Sequence, residues 1–428
     1  MQLSTFIKRA GAVGALTISE RALAVILGIF LATWLGPARY GAYSLAMAII
    51  VILMIFSEFG VSHLAAREVA AGRADPARGT FAQWIKKGSM IVLVLGALLA
   101  AIGIIVVLLF IEIENRELAD TISLSFLLLP VLGLLNVAGG VLRGAGRAAA
   151  AQIVRQLVPT LATLFVLVAF VLLPSGDLTP QQAMISRLLG SAVSVGFVIW
   201  ILRREQIFKT QDEALSIKSY SGVLSASFPF MVLNGSTTLL SKSDTLMLGR
   251  LTDVATVGIY NVGLQASILV LMVLQVAEML IGPEFSRMLA AGDTTRVQRF
   301  AQGTARLLFA AGAVVSLMLV LFGQFLLQLL FGPEYASSYT PLTILSVGFA
   351  LGFALGSPGL LLVMAGKERL VVGLVFVAVA VNISLNLLLI PIYGMTGAAI
   401  ATTVSIVAWK LPSMLFARLR LGIRCSIL

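Results

Sequence analysis

Five charged side chains interrupt long apolar stretches of this 428-residue sequence, and their positions make them the best candidates for chemistry. They are Glu20, Arg21, Arg187, Lys242 and Asp244. An ionisable side chain at membrane depth costs several kcal/mol, so it normally faces a water-filled cavity or an oppositely charged partner. Because the set contains three cations and two anions, it favours a net-cationic cavity able to hold an anionic ligand.

The alternative is that these residues neutralise one another as ion pairs within helix packing. Lys242 and Asp244 are two residues apart, so on one helix they point in different directions and do not form a simple facing pair. Glu58, Arg155 and Glu278 lie nearer the expected cytoplasmic ends, where a long side chain can extend its charge to the interface. The sequence leaves the cavity and the ion-pair interpretations open.

The composition identifies the class of protein that must position these charges. With 59% hydrophobic and 11% charged residues and a mean hydropathy of +1.03, the chain is a polytopic membrane protein. The apolar runs are long and do not alternate, which indicates helices and not a β-barrel. The net charge of +11 comes from short loops, so it indicates topology and contact with anionic lipid, and not nucleic-acid binding.

Cysteine and histidine are too scarce for several kinds of site. Cys425 is the only cysteine, which excludes an intramolecular disulfide, and His63 is the only histidine. With a single histidine, the sequence cannot supply a histidine metal cluster and gives little support for a Ser-His-Asp triad. No Gly-x-x-x-x-Gly-Lys-Ser/Thr nucleotide loop occurs either. We expect no metal, no cofactor and no enzyme activity.

Twelve apolar segments are long enough to cross a bilayer as helices. They are 11–34, 41–62, 89–111, 121–142, 149–173 and 181–202 in the first half, and 224–250, 255–281, 305–330, 339–364, 369–391 and 396–417 in the second. Lys and Arg cluster at both termini and in the connections that follow the even-numbered spans. The opposite connections carry only Arg39, Arg116 and Arg250. This asymmetry predicts that both termini are cytoplasmic.

The polar interruption over 203–221 divides the chain into halves of similar length. We predict a six-helix lobe over 1–204, a cytoplasmic linker over 205–217 and a second six-helix lobe over 218–428. Gly-Ala-Tyr at 41–43 is matched by Gly-Ile-Tyr at 258–260, and Ala-Gly-Arg at 145–147 by Ala-Gly-Lys at 365–367. The offsets of 217 and 220 residues predict two parallel repeats, with a binding site between them near the membrane midplane.

Three stretches carry a family resemblance, namely 35–46, 142–147 and 382–402. The third contains Ile-Pro-x-Tyr-Gly-x-x-Gly-Ala-Ala-x-Ala-Thr and is the most specific. Together they resemble the polysaccharide biosynthesis flippases, the Wzx type within the multidrug/oligosaccharidyl-lipid/polysaccharide exporter superfamily. That resemblance implies a V-shaped pair of six-helix lobes and alternating access. It also implies transfer of a polyprenyl-diphosphate-linked oligosaccharide from the cytoplasmic to the outer leaflet of a bacterial or archaeal inner membrane, for polysaccharide or O-antigen biosynthesis.

The resemblance implies a diphosphate ligand but offers no residue motif for it, so the candidates come from the positions of the buried charges alone. Arg21, Arg187 and Lys242 become the expected diphosphate ligands, and Glu20 and Asp244 the expected sites for a coupling proton or Na⁺. The expected partners are the lipid-linked oligosaccharide, membrane lipids and glycan polymerases or glycosyltransferases, with the protein itself a monomer. The alternative function is a cation-coupled multidrug antiporter of the same fold. An antiporter for cationic drugs needs a net-acidic cavity, and three cations against two acids argue against it.

Overall fold

The computed structural model describes residues 3–72, 81–110, 116–172, 177–204 and 219–427. Within these ranges the chain is helical and contains no strand, as the apolar runs predict. The helices are α1 (Leu3–Glu58), α2 (Val61–Gly72), α3 (Phe81–Phe110), α4 (Arg116–Phe126), α5 (Leu128–Gly144), α6 (Ala148–Gln152), α7 (Val158–Val171), α8 (Pro180–Arg204), α9 (Tyr220–Leu251), α10 (Val254–Ala290), α11 (Thr294–Phe331), α12 (Tyr339–Ala354), α13 (Pro358–Met364), α14 (Glu368–Tyr393) and α15 (Met395–Leu421). A π-helical turn over Ile153–Leu157 joins α6 to α7, and a 3-10 turn over Pro333–Ser338 precedes α12.

In these ranges, 11 helical stretches are long and apolar enough to cross a membrane. The first runs over Leu16–Glu58, which at 43 residues is twice the length that a bilayer requires. It is broken at Gly36, whose backbone adopts φ 71° and ψ 171°, directly before Pro37. This stretch therefore supplies two spans, and the predicted all-α fold with twelve transmembrane helices agrees with the structure.

The chain forms two compact units. The first unit comprises Met1–Leu35 and Ala42–Thr238, and the second comprises Gly36–Gly41 and Leu239–Leu428. The division between the units therefore falls inside α9. The predicted linker over 205–217 lies outside the described residues, and the predicted lobe boundaries at 204 and 218 stay a prediction.

The core of the first unit is formed where α2, α3 and α5 pack together. Its buried members include Leu64, Trp84 and Val92, with Val137 and Val141 from α5. A Cβ atom added at Gly140 would lie 2.2 Å from the backbone oxygen of Ser62, so α2 and α5 are in backbone contact there. Small residues allow such close helix packing in membranes, and this packing fixes the position of α5.

The second unit contains a similar close approach between the two glycines that the repeat alignment matched. A Cβ atom at Gly41 would lie 1.8 Å from the oxygen of Val254, and one at Gly258 would lie 2.2 Å from the oxygen of Pro37. The two glycines thus pack against each other. Asp253 begins α10 by accepting the N–H of Thr256 at 2.7 Å, which is the usual role of an acidic N-cap residue.

The second pair of repeat-matched glycines adopts one backbone conformation. Gly146 has φ 76° and Gly366 has φ 72°, in the left-handed region that glycine enters without steric cost. In each turn the glycine N–H donates to the carbonyl three residues earlier and the following N–H donates to the carbonyl five residues earlier, at 2.9 to 3.0 Å. The internal repeat is thus visible in local backbone structure as well as in sequence.

Candidate functional site

A cavity of about 370 Å³ lies within the first unit, and we refer to it as the first-unit cavity. Met47, Val51, Met54, Leu132 and Leu135 form much of its apolar wall. Its polar wall combines charged, amide, imidazole and hydroxyl side chains from several segments of the chain. These side chains are Glu58, His63, Asn136, Arg155, Gln156, Arg187, Asn234 and Thr238. The volume falls within the range of small-molecule sites.

Arg155 reaches this cavity from the π-helical turn between α6 and α7. Pro159 follows four residues later, and a proline ring clashes with the carbonyl four positions before it in an α-helix. The chain avoids this clash by widening the turn, so that Val158 N–H donates to the Ile153 carbonyl five residues earlier. Such π-turns frequently occur at functional sites.

A chain of hydrogen bonds holds Arg155 in place. Its Nε donates to Asn136 Oδ1 at 2.9 Å. Asn136 Nδ2 in turn donates to Glu58 Oε2 at 2.9 Å, and Ser62 Oγ donates to the other Glu58 oxygen. The Glu58 carboxylate is therefore linked to Arg155 through an amide and does not touch it.

Arg187 lies on α8 and lines the same cavity. Its Nε is buried and has no hydrogen-bond partner. Among the described residues, neither Arg187 nor Arg155 lies within ion-pair distance of a carboxylate. The two guanidinium groups outnumber the single Glu58 carboxylate, so the cavity is net cationic.

Glu20 and Arg21 are not among the residues that line the first-unit cavity. Glu20 lies on α1 and accepts a hydrogen bond from Gln152 Nε2 at 2.7 Å, while the same amide nitrogen donates to Thr17 Oγ1 at 2.8 Å. Arg21 is half-buried on the same helix. Of these three residues of the first unit, only Arg187 lines the cavity.

Asp244 is the centre of a buried polar cluster in the second unit, and only 3% of its surface is exposed. One carboxylate oxygen accepts from Asn386 Nδ2 at 2.8 Å and from Asn382 Nδ2 at 3.1 Å. The other accepts from Tyr260 OH at 3.0 Å and from Thr402 Oγ1. Four donors on one carboxylate stabilise its charge in a region where water is excluded.

Lys242 is half-buried on α9, two residues before Asp244. It is not among the four groups that hydrogen-bond to the Asp244 carboxylate. Ser243 lies between the two and donates to Asn382 Oδ1 at 2.5 Å. This arrangement agrees with the expectation from spacing that Lys242 and Asp244 do not form a simple facing pair.

Several site residues were not predicted from the sequence. Glu58 and Arg155 were assigned to the interface, but the structure places both on the wall of the first-unit cavity. Pro159, four residues after Arg155, is the signal that could have indicated an irregular turn. Lys410 lies inside a predicted span and was not noted, yet it is buried and its Nζ donates to the Gly352 carbonyl at 3.0 Å.

The helical fold is similar to that of several solved membrane transporters. It is similar to an inward-facing multidrug resistance MATE family transporter of the MOP superfamily, with a TM-score of 0.74 and 14% identity over 94% of each chain. It is similar to the lipid II flippase MurJ in an inward closed conformation, with a TM-score of 0.76 and 12% identity over 95% of this chain and 87% of that chain. It is also similar to a mutant of the Vibrio cholerae MATE transporter VcmN, with a TM-score of 0.65 and 16% identity over 96% of each chain. At these identities the likeness establishes the fold, which is the MOP-type exporter fold.

The family follows from the sequence. The family model for polysaccharide biosynthesis proteins matches residues 6–289, which is well over half of the chain. This protein therefore belongs to the polysaccharide biosynthesis protein family. A search of the curated proteins found no match. The matched range includes the first-unit cavity and Asp244, and it ends before Asn382.

Proposed function

We propose that this protein is a flippase that moves a polyprenyl-diphosphate-linked oligosaccharide from the cytoplasmic to the outer leaflet by alternating access, for polysaccharide or O-antigen biosynthesis. The observation that carries the proposal is the net-cationic first-unit cavity, in which Arg155 and Arg187 have no carboxylate partner among the described residues. A diphosphate in a low-dielectric site needs positive charge, because an unpaired buried anion is too costly. Membership of the polysaccharide biosynthesis family supports this substrate class.

We propose three substrate ligands from their positions within predicted membrane spans, namely Arg21, Arg187 and Lys242. Arg187 has the strongest support, since it lines the cavity with a buried Nε that lacks a partner. Arginine suits this role because its planar guanidinium can bind a phosphate through two parallel hydrogen bonds, whereas lysine offers a point charge. With the cell interior negative, outward movement of an anion gains about 2.3 kcal/mol per charge per 100 mV.

Asp244 and Glu20 are the sites that we propose for coupling to a proton or Na⁺. Asp244 has the stronger support, because its carboxylate is buried and Asn386, which donates to it, has a buried Oδ1 without a partner. Glu20 accepts from the Gln152 amide. Asp244→Asn keeps the size of the side chain and removes its charge, so export driven by a pH or Na⁺ gradient in vesicles should be lost. Gradient-driven export at the rate of the unmodified protein would rule out coupling at Asp244.

A cation-coupled multidrug antiporter is the second candidate function. The buried Asp244 carboxylate in a MATE-like fold favours it, while the cationic first-unit cavity opposes it. Ethidium efflux from cells that overproduce the protein distinguishes the two. The flippase proposal predicts no efflux above that of cells with an empty vector.

The central test measures surface glycan in cells whose own flippase gene is deleted and replaced by variants of this one. Arg21→Ala, Arg187→Ala and Lys242→Ala should each strongly reduce export at unchanged protein level, and Arg187→Lys should retain part of it. Arg299→Ala is the matched control, because Arg299 is exposed to solvent. Export at the normal rate by all three alanine variants would refute the cationic-ligand mechanism.

The topology is tested separately. We propose a multi-pass protein of the inner membrane with both termini in the cytoplasm, which works as a monomer beside glycan polymerases or glycosyltransferases. In a Cys425→Ser background, single cysteines at Arg39, Asp177, Asp253 and Glu334 should all react with a membrane-impermeant maleimide from outside. One position that reacts only from inside would break this topology.

A further inference from the structure

We propose that the first-unit cavity itself binds the phosphate oxygens of the substrate, and that Arg155 is a binding residue held ready for them beside Arg187. The inference rests on the proposed function only in taking the diphosphate as the physiological ligand. It adds a residue that the sequence assigned to the interface, and it places the phosphate subsite within a single compact unit.

Arg155 has hydrogen-bond donors that are not used by the residues that the structure describes. Its Nε is occupied by Asn136. In the described part of the chain, no hydrogen bond engages its two terminal nitrogens, and neither of them is fully buried. A guanidinium oriented through Nε therefore presents its two Nη groups to the cavity. That pair of parallel donors matches a phosphate group.

The Glu58 carboxylate is engaged by hydrogen bonds within the protein. Glu58 also lines the cavity, and a free carboxylate there would repel a phosphate. One of its oxygens accepts from Asn136 and the other from Ser62. Glu58 therefore orients the Asn136 amide, which in turn orients Arg155, and one lone pair on each Glu58 oxygen is engaged by these donors. Glu58 and Asn136 are positioning residues in this scheme.

The aliphatic part of the Arg155 side chain lies against α5 at Gly139. A Cβ atom added at Gly139 would lie 2.2 Å from Arg155 Cδ and 2.7 Å from Cγ. Only glycine leaves room for this stem, so Gly139 and Asn136, three residues apart on α5, together fix the direction of the guanidinium. An alanine at Gly139 must push Arg155 away from its present position.

The rest of the cavity wall suits a phosphate that carries a sugar. Gln156, Asn234 and Thr238 add neutral donors and acceptors, which suit phosphate oxygens and sugar hydroxyls alike. Arg187 adds a second guanidinium whose buried Nε lacks a partner. A buried donor without a partner is unfavourable in the empty protein, and a bound anion would satisfy it.

The test measures binding to the purified full-length protein in neutral detergent by microscale thermophoresis, with farnesyl diphosphate as the probe. Arg155→Ala should weaken binding at least about tenfold, because it removes hydrogen bonds between two charged groups. Arg155→Lys should fall between Arg155→Ala and the unmodified protein. Gly139→Ala should also weaken binding, whereas Gly196→Ala, where a Cβ atom would meet nothing within 4 Å, should not.

Two further ligands separate the sources of the phosphate. Inorganic pyrophosphate should compete with farnesyl diphosphate in the unmodified protein and lose most of its effect in Arg155→Ala, which shows recognition of the diphosphate itself. Phosphatidylglycerol should compete far more weakly. Competition by phosphatidylglycerol as strong as that by pyrophosphate would overturn a diphosphate site and indicate a general anionic-lipid site.

The outcome is independent of the export assay. Loss of diphosphate binding in both Arg155→Ala and Gly139→Ala, with elution and unfolding temperature unchanged, supports the subsite even in a protein that exports no glycan. Normal binding in the well-folded Arg155→Ala and Arg155→Lys variants overturns the subsite even when the Arg187→Ala variant abolishes export. If Gly139→Ala does not fold, the two Arg155 variants decide alone.

Discussion

Replacement of Asp244 should show whether its buried cluster stabilises the second unit. Asp244→Ala removes the acceptor for four hydrogen bonds, which come from Tyr260, Thr402, Asn382 and Asn386. A buried donor left unsatisfied costs about 1–3 kcal/mol, so four would cost about 4–12 kcal/mol without relaxation. Asn386 Nδ2 already donates to Asn382 Oδ1 at 3.0 Å, which lowers this cost. We expect a loss of at least about 3 kcal/mol.

Asp244→Asn is the matched variant, because it keeps the shape of the side chain. Its amide oxygen can accept from the two asparagines, and its NH₂ group can donate to the hydroxyl oxygens of Thr402 and Tyr260. The two asparagines keep their acceptor and only the two hydroxyl protons lose theirs, so the expected loss is about 1–2 kcal/mol, smaller than for Asp244→Ala. Asp244→Asn thus separates the stability of the cluster from the charge that ion coupling would use.

The assay is thermal unfolding of the purified protein in detergent, followed by intrinsic tryptophan fluorescence. The expected order of unfolding temperatures is unmodified protein, then Asp244→Asn close below it, then Asp244→Ala several degrees lower. Equal unfolding temperatures for Asp244→Ala and Asp244→Asn would refute the reasoning, because they would show that the four donors do not depend on an acceptor at this position.

Three further predictions concern single positions in or near the second unit. The Thr256 N–H lowers the pKa of Asp253 below its ordinary value of 3.8, so the cap stabilises α10 above that pH and loses its effect as the pH falls through the lowered pKa. Asp253→Ala should therefore lower the free energy of unfolding by about 0.5–2 kcal/mol at pH 7, and an equal loss at pH 2 would contradict this. A Cβ atom at Gly397 would lie 2.4 Å from the Leu389 oxygen, so Gly397→Ala should destabilise the protein by about 1–3 kcal/mol in urea unfolding, whereas Gly373→Ala, with nothing within 4 Å, should not. Burial raises the pKa of the Cys425 thiol to about 11, so maleimide at pH 8 should label the folded protein slowly and the SDS-denatured protein fully; rapid labelling of the folded protein would be the contrary result.

The sequence predicted the elements of this fold well, because bilayer thickness requires about 20 apolar residues for each span. The twelve predicted segments correspond to the helical stretches of the structure, with the first two joined in one helix that bends at Gly36. The separation of these two was predictable, since Gly36 and Pro37 interrupt the apolar pattern. Repeat-matched glycines were also informative, because a close approach or a positive φ leaves few alternatives to glycine.

The sites were harder to predict, because each depends on contacts between distant segments. Asn382, Asn386 and Thr402 were recognised as part of a family motif, but nothing local in that motif indicates that they donate to Asp244, which lies 138 residues before Asn382. Arg155 was assigned to the interface from its distance to the end of a span. Linear distance does not determine which way a side chain points once a π-turn changes the helical repeat.

The π-turn over Ile153–Leu157 also has a consequence for how this protein can evolve. A turn closed by a bond to the fifth preceding residue contains one residue more than an α-helical turn. Removal of one residue here would restore a regular helix and change the position of Arg155 relative to α7. Single-codon deletions and insertions at this turn could therefore alter which charges line the cavity while the membrane-spanning framework is kept. Such a position allows the side chains that line the first-unit cavity to change in one genetic step.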